Sequence, residues 1–557
     1  MNARGMNVRG RIIEPAKSAY RFPLLIKQLL LSAMGNHSDQ EIVYRDLRRM
    51  TYREFNGRLG QLANALEAVG VRPGEVVGVM DWDSHRYLEC YFAVPMMGSI
   101  LQTVNVRLSP EQIFYTLNHA GPTTLLINEE FLPLYESIKA DLKTVQRVVL
   151  LTDKTEVGAL PNGVVAEYES LLAKQSTAYD FPDFDENTCA TLFYTTGTTG
   201  LPKGVFFSHR QHVLHAISEL AALALSPRQC SIDRDTVYMP VTPMFHVHAW
   251  GFPYAATCAG MKQVYPGRYA PDVLMKLIKT EKVTFTHGVP TILQMLLAAC
   301  EAAQTDLKGV TMVIGGSALP KALAKRALEA GLDVCSGYGM SETGPLISVA
   351  HLETEVLTGN VADEVEYRTK TGRAVPLVDL RIVDPEMNEL PRDGVAVGEI
   401  VLRAPWLTQG YLQNEDASEQ LWAGGYLHTN DIANVDQRGY VQITDRIKDV
   451  IKTGGEWVSS LEVEDIISQC PGVREVAVIG IKDEKWGERP LAVVVRDAQA
   501  DETADERKIA GHLSAFVDKG IISKFAIPQQ VKFVEQLPKT SVGKLDKKLL
   551  RKTYGDE

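Results

Sequence analysis

Two periodicities take turns along the first two thirds of this chain, and that alternation restricts the fold more than any other feature. From Met50 to Val71 the apolar residues of MTYREFNGRLGQLANALEAVGV recur near every 3.6 positions, which predicts an amphipathic helix. The run EVVGVMD behind it predicts a strand, HRYLECYFAVPMMGSI the next helix, and TTLLINEE and RVVLLTD later strands. Strands that alternate with helices need crossover connections, so they build parallel sheets with helices on their faces. The expected fold class is therefore α/β.

Further along, DTVYMPVTP, KVTFTHGVP, VTMVIGGSALP and LDVCSGYGMSETG each read as an apolar strand running straight into a loop of small residues. Ligands of open α/β sheets sit at such carboxyl ends, so these loops are where chemistry is expected. Past about residue 375 the helical signal thins, and DLRIVD, GEIVLRAP and YVQITDR read as short strands between turns. After DRIKD the pattern starts afresh. SSLEVEDIISQC opens on a Ser459/Glu462 capping box, REVAVIGIKD, RPLAVVVRD and QQVKFVEQLP read as strands, and ERKIAGHLSAFV as a helix. A chain of 557 residues is too long for one simple domain. We expect a large N-terminal domain over 1–447, made of α/β subdomains plus a small β-barrel-like region, and a small α+β domain over 448–557.

With 58 basic against 69 acidic residues, the net charge of −11 argues against nucleic acid as a partner. The seven cysteines (Cys90, Cys189, Cys230, Cys258, Cys300, Cys335, Cys470) form no C-x-x-C pair and are expected to be reduced core residues of a cytoplasmic protein. The apolar stretch PLLIKQLLLSAM is interrupted by Lys27, so no integral membrane contact is expected. Arg4, Arg9 and Arg11 precede the first acidic residue, the one hint of a transit peptide.

The stretch YTTGTTGLPKGVFFSH, Tyr194 to His209, reads as a loop between a strand and a helix. Backbone N–H groups at Gly197 and Gly200, the hydroxyls of Thr195, Thr196, Thr198 and Thr199, and the amine of Lys203 together suit an anion such as a nucleotide's phosphates. It matches neither the P-loop nor the Gly-x-Gly-x-x-Gly pattern, and by itself it reads equally as a flexible surface loop. GYGMSETG adds Gly337, Gly339, a tyrosine face at Tyr338 for a base, the Ser341 hydroxyl, and Glu342, a lone carboxylate suited to Mg²⁺; its plain alternative is a turn. Gly315, Gly316 and Ser317 would let a flat base lie against backbone, and Asp431 with Arg446 could hold a ribose diol from two sides, although each charge alone reads as a solvated surface residue. Lys544 lies in a glycine-flanked position of PKTSVGKLDKK, otherwise a basic tail. In FHVHAW, strand alternation would put His246, His248 and Trp250 on one face, as substrate-side packing rather than as metal ligands, with Trp250 readable as an ordinary core aromatic.

In this order and at these separations the motifs resemble the adenylate-forming superfamily of acyl-CoA synthetases, peptide-synthetase adenylation domains and luciferases. The resemblance runs from TYREF to GKLDKK, and MPVTPMFHVHAWGFPYAA is most similar to the fatty-acyl-CoA synthetase branch. It implies that Thr195 to Lys203 hold the triphosphate, that Tyr338 and Gly315 to Ser317 hold adenine, that Glu342, with Thr195, holds magnesium, and that Asp431 and Arg446 hold ribose. It makes Lys544 the lysine of the adenylation step, Lys448 the hinge on which a mobile tail domain turns, and Trp250 the gate of an acyl tunnel. Two departures stand out: Ser341 replaces a more usual threonine, and Asn430 replaces a glycine, which puts the local turn in question.

The implied reaction joins a carboxylic acid to ATP, giving acyl-AMP and pyrophosphate, and then to the thiol of CoA, giving acyl-CoA and AMP. The segment Thr453 to Ser460 is expected to line the pantetheine path. Two other readings stay open: transfer of the acyl group to a carrier protein or another acceptor, and a nucleotide-binding regulator without chemistry. Oligomeric state is also open, with pairing through the large domains as what the resemblance implies. Neither chain length nor class of the acid can be read from the residues.

Overall fold

The computed structural model describes residues 13–195, 201–226, 229–453, 456–497, 504–540 and 543–555. Among them the strands form four sheets. A seven-stranded sheet runs in the order Val164–Glu167, Arg147–Leu151, Thr124–Asn128, Val76–Met80, Ile100–Thr103, Cys189–Thr195, Lys203–Ser208, parallel except for its last pair. A nine-stranded sheet carries Asp333–Gly339, Thr311–Ile314, Phe285–Gly288, Val237–Tyr238 and Lys262–Tyr265 as parallel neighbours at its centre. The alternation expected from the sequence is thus what pairs in space.

The first predicted helix is Tyr52–Ala68, started by a Thr51/Glu54 capping box and burying Tyr52, Phe55, Leu59, Leu62 and Leu66 against the core shared with the seven-stranded sheet. Asp379–Val383, Gly398–Arg403, Leu427–Val435 and Val441–Arg446 form an antiparallel meander in consecutive order. This four-stranded antiparallel sheet is the small β region expected past residue 375.

Beyond Arg446 the chain leaves that meander and enters a separate five-stranded sheet beginning at Ile451, covered by the helices Ser460–Ser468, Glu506–Asp518 and Lys547–Tyr554. Ser459 caps the first of these helices by accepting from the Glu462 N–H. The cysteines depart from expectation in one respect: Cys230 and Cys335 are joined as a disulfide with Cα atoms 6.4 Å apart, whereas Cys90, Cys189, Cys258, Cys300 and Cys470 are free. No described helix is long and apolar enough to cross a membrane.

Two local readings need correction. The segment after Thr195 does not pass directly into a helix: Lys203–Ser208 is a strand that returns antiparallel to Cys189–Thr195, with Thr195 opposite Lys203. The helix begins only at His209, behind a Ser208 cap, because Val205, Phe206 and Phe207 first continue the sheet. The two described ends of the phosphate-type stretch, Thr195 and Lys203, are thus held together as a strand pair, and no helix begins before His209. FHVHAW is no strand either. Val247, His248, Ala249 and Trp250 have φ between 48° and 61°, a left-handed turn closed by Gly251.

Candidate functional site

A cleft opens where the carboxyl ends of the nine-stranded sheet face the tail domain. Gly315, Gly316, Gly337, Tyr338, Gly339, Ser341, His246, Trp250 and Lys544 all line it. Glycine is required here by close approach: a Cβ on Gly315 would stand 2.8 Å from the Gly337 carbonyl oxygen and 3.0 Å from the Trp250 ring.

Around one end of the cleft the charged residues form a chain. The Tyr338 hydroxyl donates to Asp431 Oδ2 at 2.6 Å, and Arg446 Nε donates to Asp431 Oδ1 at 3.0 Å. Asp431 and Arg446 face each other in register on neighbouring strands, so backbone pairing alone fixes that contact. The doubtful turn before Asp431 is resolved by Asn430 itself, which adopts φ 59°; asparagine tolerates this left-handed geometry better than most residues.

Glu342 is buried in a short helical turn and accepts from the Tyr411 hydroxyl at 2.7 Å. Burial pushes its pKa up, opposed by Tyr411 and by the charge of Lys203. Lys203 Nζ lies 4.5 Å from the centre of the same Tyr411 ring, so one tyrosine joins the hairpin to the carboxylate. Lys544 comes from the tail, on a turn where its N–H donates to Thr540 Oγ1, and its Cε would lie 3.1 Å from a Cβ on Gly316. Burial, then the charge of Arg446, push its amine down to about 8, with Asp431 and Glu342 opposing.

The structure therefore brings Lys203, Glu342, Asp431, Arg446 and Lys544 to one region, the first four joined through Tyr411 and Tyr338 or set beside the cleft wall. Thr195 is at the root of the hairpin, while Thr196, Gly197, Thr198, Thr199 and Gly200 lie outside the described residues. Ser317 is exposed and does not line the cleft. Lys448 is exposed on the connection between the meander and the tail sheet. His248 does not share a face with His246, because the left-handed turn rotates it into the core. There its ring packs 4.9 Å from His212 and 5.2 Å from Phe193. Burial lowers both histidines to about 3. No cluster of three or more metal-type ligands occurs among the described residues.

Sequence reasoning missed several contributors. Tyr411 is one. Another is Asp83, which accepts from the Tyr269 hydroxyl at 2.5 Å and the Met244 N–H at 2.9 Å, and whose carboxyl burial pushes up to about 7. With Thr103 donating to the Phe245 carbonyl at 3.0 Å, it pins the segment that delivers His246. A third is Arg107, an exposed guanidinium at the cleft wall within 5.9 Å of the Trp82, Phe245 and Tyr269 rings. These contacts join residues that are distant in the sequence, the Asp83 and Thr103 bonds by more than a hundred positions, so nothing in local spacing announces them.

Comparison with known proteins agrees with this geometry. The family described as AMP-binding enzyme matches residues 31–412, and the AMP-binding enzyme C-terminal domain matches residues 462–544. The chain is 41% identical over 522 residues to the long-chain-fatty-acid–CoA ligase of Thermus thermophilus, covering 92% of this chain and 93% of that one. It is 38% identical to the 3-methylmercaptopropionyl-CoA ligase of Ruegeria pomeroyi, over 96% of this chain and 98% of that one. Among solved structures, the anthranilate CoA ligase AuaEII in complex with anthranoyl-AMP superposes with a TM-score of 0.82 at 26% identity, covering 96% of this chain and 98% of that one. A cleft floored by close-approach glycines, bordered by a Tyr–Asp–Arg chain and closed by a lysine from a second domain thus coincides with matches along nearly the whole length, and the chain belongs to the AMP-binding enzyme family.

Proposed function

We propose that the protein is an ATP-dependent, AMP-forming acyl-CoA ligase. The observation that carries this reading is the placement of the tail-domain Lys544 against Gly316, across the cleft from the Tyr338–Asp431–Arg446 chain. ATP and CoA are its co-substrates and a carboxylic acid its acyl donor. Adenine lies against Gly315, Gly316 and Tyr338, and Asp431 accepts from the ribose hydroxyls. The Thr195–Lys203 hairpin takes the outer phosphates.

When the acid's carboxylate attacks the α-phosphate, two anions meet and charge builds on the phosphate oxygens. Lys544 supplies a preorganised positive charge there, and Lys203 does so at the leaving pyrophosphate. Glu342 fits a magnesium site, since Mg²⁺ takes one or two carboxylates and completes its shell with phosphate oxygens and water, and Thr195 stands at the near end of the hairpin. When bound, the metal neutralises phosphate charge. We place the enzyme in the cytoplasm, where ATP and CoA are supplied.

The thiol step needs a surface near the acyl carbonyl rather than Lys544 at the phosphates. A turn of the tail domain at Lys448 would exchange the two, bringing the segment Thr453 to Ser460 toward the pantetheine; Gly454 and Gly455 of that segment lie outside the described residues. Lys448→Pro is expected to hold the tail in one orientation, so that acyl-AMP forms while acyl-CoA formation drops at least about tenfold. Single-turnover assays of the two halves check this, and full rates in both would refute the hinge assignment.

Incubation with ATP, Mg²⁺, an aliphatic acid and CoA should release AMP and pyrophosphate; ADP as product would overturn the reading. Asp431→Ala removes the acceptor of two hydrogen bonds and leaves Arg446 unpaired beside the nucleotide. It is expected to raise the KM for ATP by about 30-fold, the equivalent of about 2 kcal/mol for a charged hydrogen bond. Steady-state kinetics with varied ATP measure it, and an unchanged KM would remove Asp431 from the ribose site.

A further inference from the structure

The tail domain meets one short stretch of the large domain at two points. Lys544 lies on Gly316, its Nζ 3.8 Å from a Cβ placed there. A little further along the chain, the Lys321 N–H donates to Oδ1 of Asp465, on the tail helix Ser460–Ser468, at 3.3 Å. Lys321 is the first residue of the helix Lys321–Glu329, and the opening N–H groups of a helix have no partner within it. Pro320, just before it, makes no side-chain cap. A carboxylate from the other domain therefore takes the place of the cap, and the positive end of the helix dipole favours it there.

The side chains around this bond carry opposing charges. Lys321 Nζ pairs with Glu366 Oε2, on the helix Val361–Arg368, at 2.7 Å. Burial raises the pKa of Asp465, the charge and the N–H of Lys321 lower it, and Glu366 raises it again. Glu462, one turn earlier on the tail helix, is raised by burial and by Asp465 and lowered by Lys321. One cation is thus shared by three carboxylates, two from the tail and one from the large domain. The bond holds the tail, and the surplus of negative charge keeps that hold weak enough to open.

We propose that Asp465 and Lys321 form a latch that positions the tail for adenylation: closed, it sets Lys544 over Gly316, and open, it frees the tail for the thiol step. Gly316 and Lys321 belong to one continuous segment, a glycine-bearing loop running into a helix, so fixing Asp465 at the helix start also fixes where Lys544 arrives. Neither latch residue lines the cleft, and both act through Lys544 as positioning residues. This inference rests on the ligase reading and adds to it what selects between the two half-reactions.

Single-turnover assays of the full chain measure acyl-AMP formation and, separately, thioester formation from supplied acyl-AMP. The ratio of the second rate to the first follows the populations of the two tail orientations, whichever of them predominates. Asp465→Ala and Lys321→Gln should each raise this ratio about fivefold by weakening the latch. Asp465→Asn, which still accepts from the Lys321 N–H, should stay within about twofold of the wild type. Glu366→Gln should lower the ratio, because Lys321 is then left to the tail carboxylates alone. A substitution that merely loosens the fold slows both halves alike. An unchanged ratio in Asp465→Ala or Lys321→Gln, or a rise in Glu366→Gln, would overturn the latch while leaving the ligase reading standing. Should the wild type form no acyl-AMP with any acid, the ligase reading falls, and hydrogen exchange at the Lys321 amide decides the latch without turnover. Exchange about fivefold faster in Asp465→Ala than in the wild type supports it, and unchanged exchange overturns it.

Discussion

Lys544→Ala is expected to slow acyl-adenylate formation about 10²–10³-fold, the effect of removing one preorganised charge from a developing oxyanion, while thioester formation from supplied acyl-AMP continues. The reasoning is local. Lys544 reaches the cleft from the tail domain and lies on Gly316, close enough that Arg446, Asp431 and Glu342 all act on its charge. Once pyrophosphate has left, that charge has no developing anion to stabilise. Separate assays of the two half-reactions decide it, and equal losses in both would mean that one tail orientation serves the whole cycle.

The same lysine sets a pH dependence whose sign follows from its lowered pKa. Lysine acts here as a cation, and in the free enzyme its amine titrates at about 8 rather than at the usual 10.5. The protonated form therefore dominates below about 8 and is lost as the pH rises through that value. The alkaline limb of kcat/KM for adenylation should fall near pH 8, because that parameter reports the free enzyme. Bound ATP adds negative charge and favours the cation, so the limb of kcat should lie higher. A kcat/KM limb that persists in Lys544→Ala would assign the titration to another group.

Much of the scaffold can be read from the sequence because the signal is local. The helix Tyr52–Ala68 carries its own periodicity and its own capping box, and the strand Thr311–Ile314 is a short apolar run ended by glycines. Asp431 and Arg446 also lie close in the sequence and pair across one antiparallel ladder. The failures share a cause, which is tertiary contact overriding local pattern. The residues HVHAW alternate as a strand would, yet long-range bonds from Asp83 and Thr103 pin the preceding segment and Gly251 has φ 83°, so the chain makes a left-handed turn. Tyr411 acts through Glu342 and Lys203, both far away in sequence, and no spacing rule could find it. Three of the four meander strands, within DLRIVD, GEIVLRAP and YVQITDR, read as strands for good local reasons, whereas Leu427–Val435 is not among the runs that announce themselves and is recognised only by its pairing with Gly398–Arg403 and Val441–Arg446.

Gly339→Ala is the substitution for which the backbone itself leaves least room. The Cβ would stand 1.8 Å from the Pro345 carbonyl oxygen and 2.5 Å from its carbon, both main-chain atoms that no rotamer change can move aside. Gly339 pairs with Leu346 across a register shift, and the loop between them carries Glu342. Relief therefore requires the strand Asp333–Gly339 to part from Leu346–Val349, which displaces Tyr338 on one side and Glu342 on the other. A destabilisation of about 2–4 kcal/mol is expected, together with at least about a tenfold loss of ATP affinity, since the adenine and magnesium positions move in opposite directions. Chemical denaturation and calorimetric titration with ATP measure the two effects. Gly511→Ala supplies the control, because that helical glycine has nothing within 4 Å of its would-be Cβ and alanine there should be neutral or stabilising by up to about 1 kcal/mol. If Gly339→Ala behaved like Gly511→Ala, the two strands could not approach as closely as the site requires, and the geometry that links base recognition to the carboxylate would have to be abandoned.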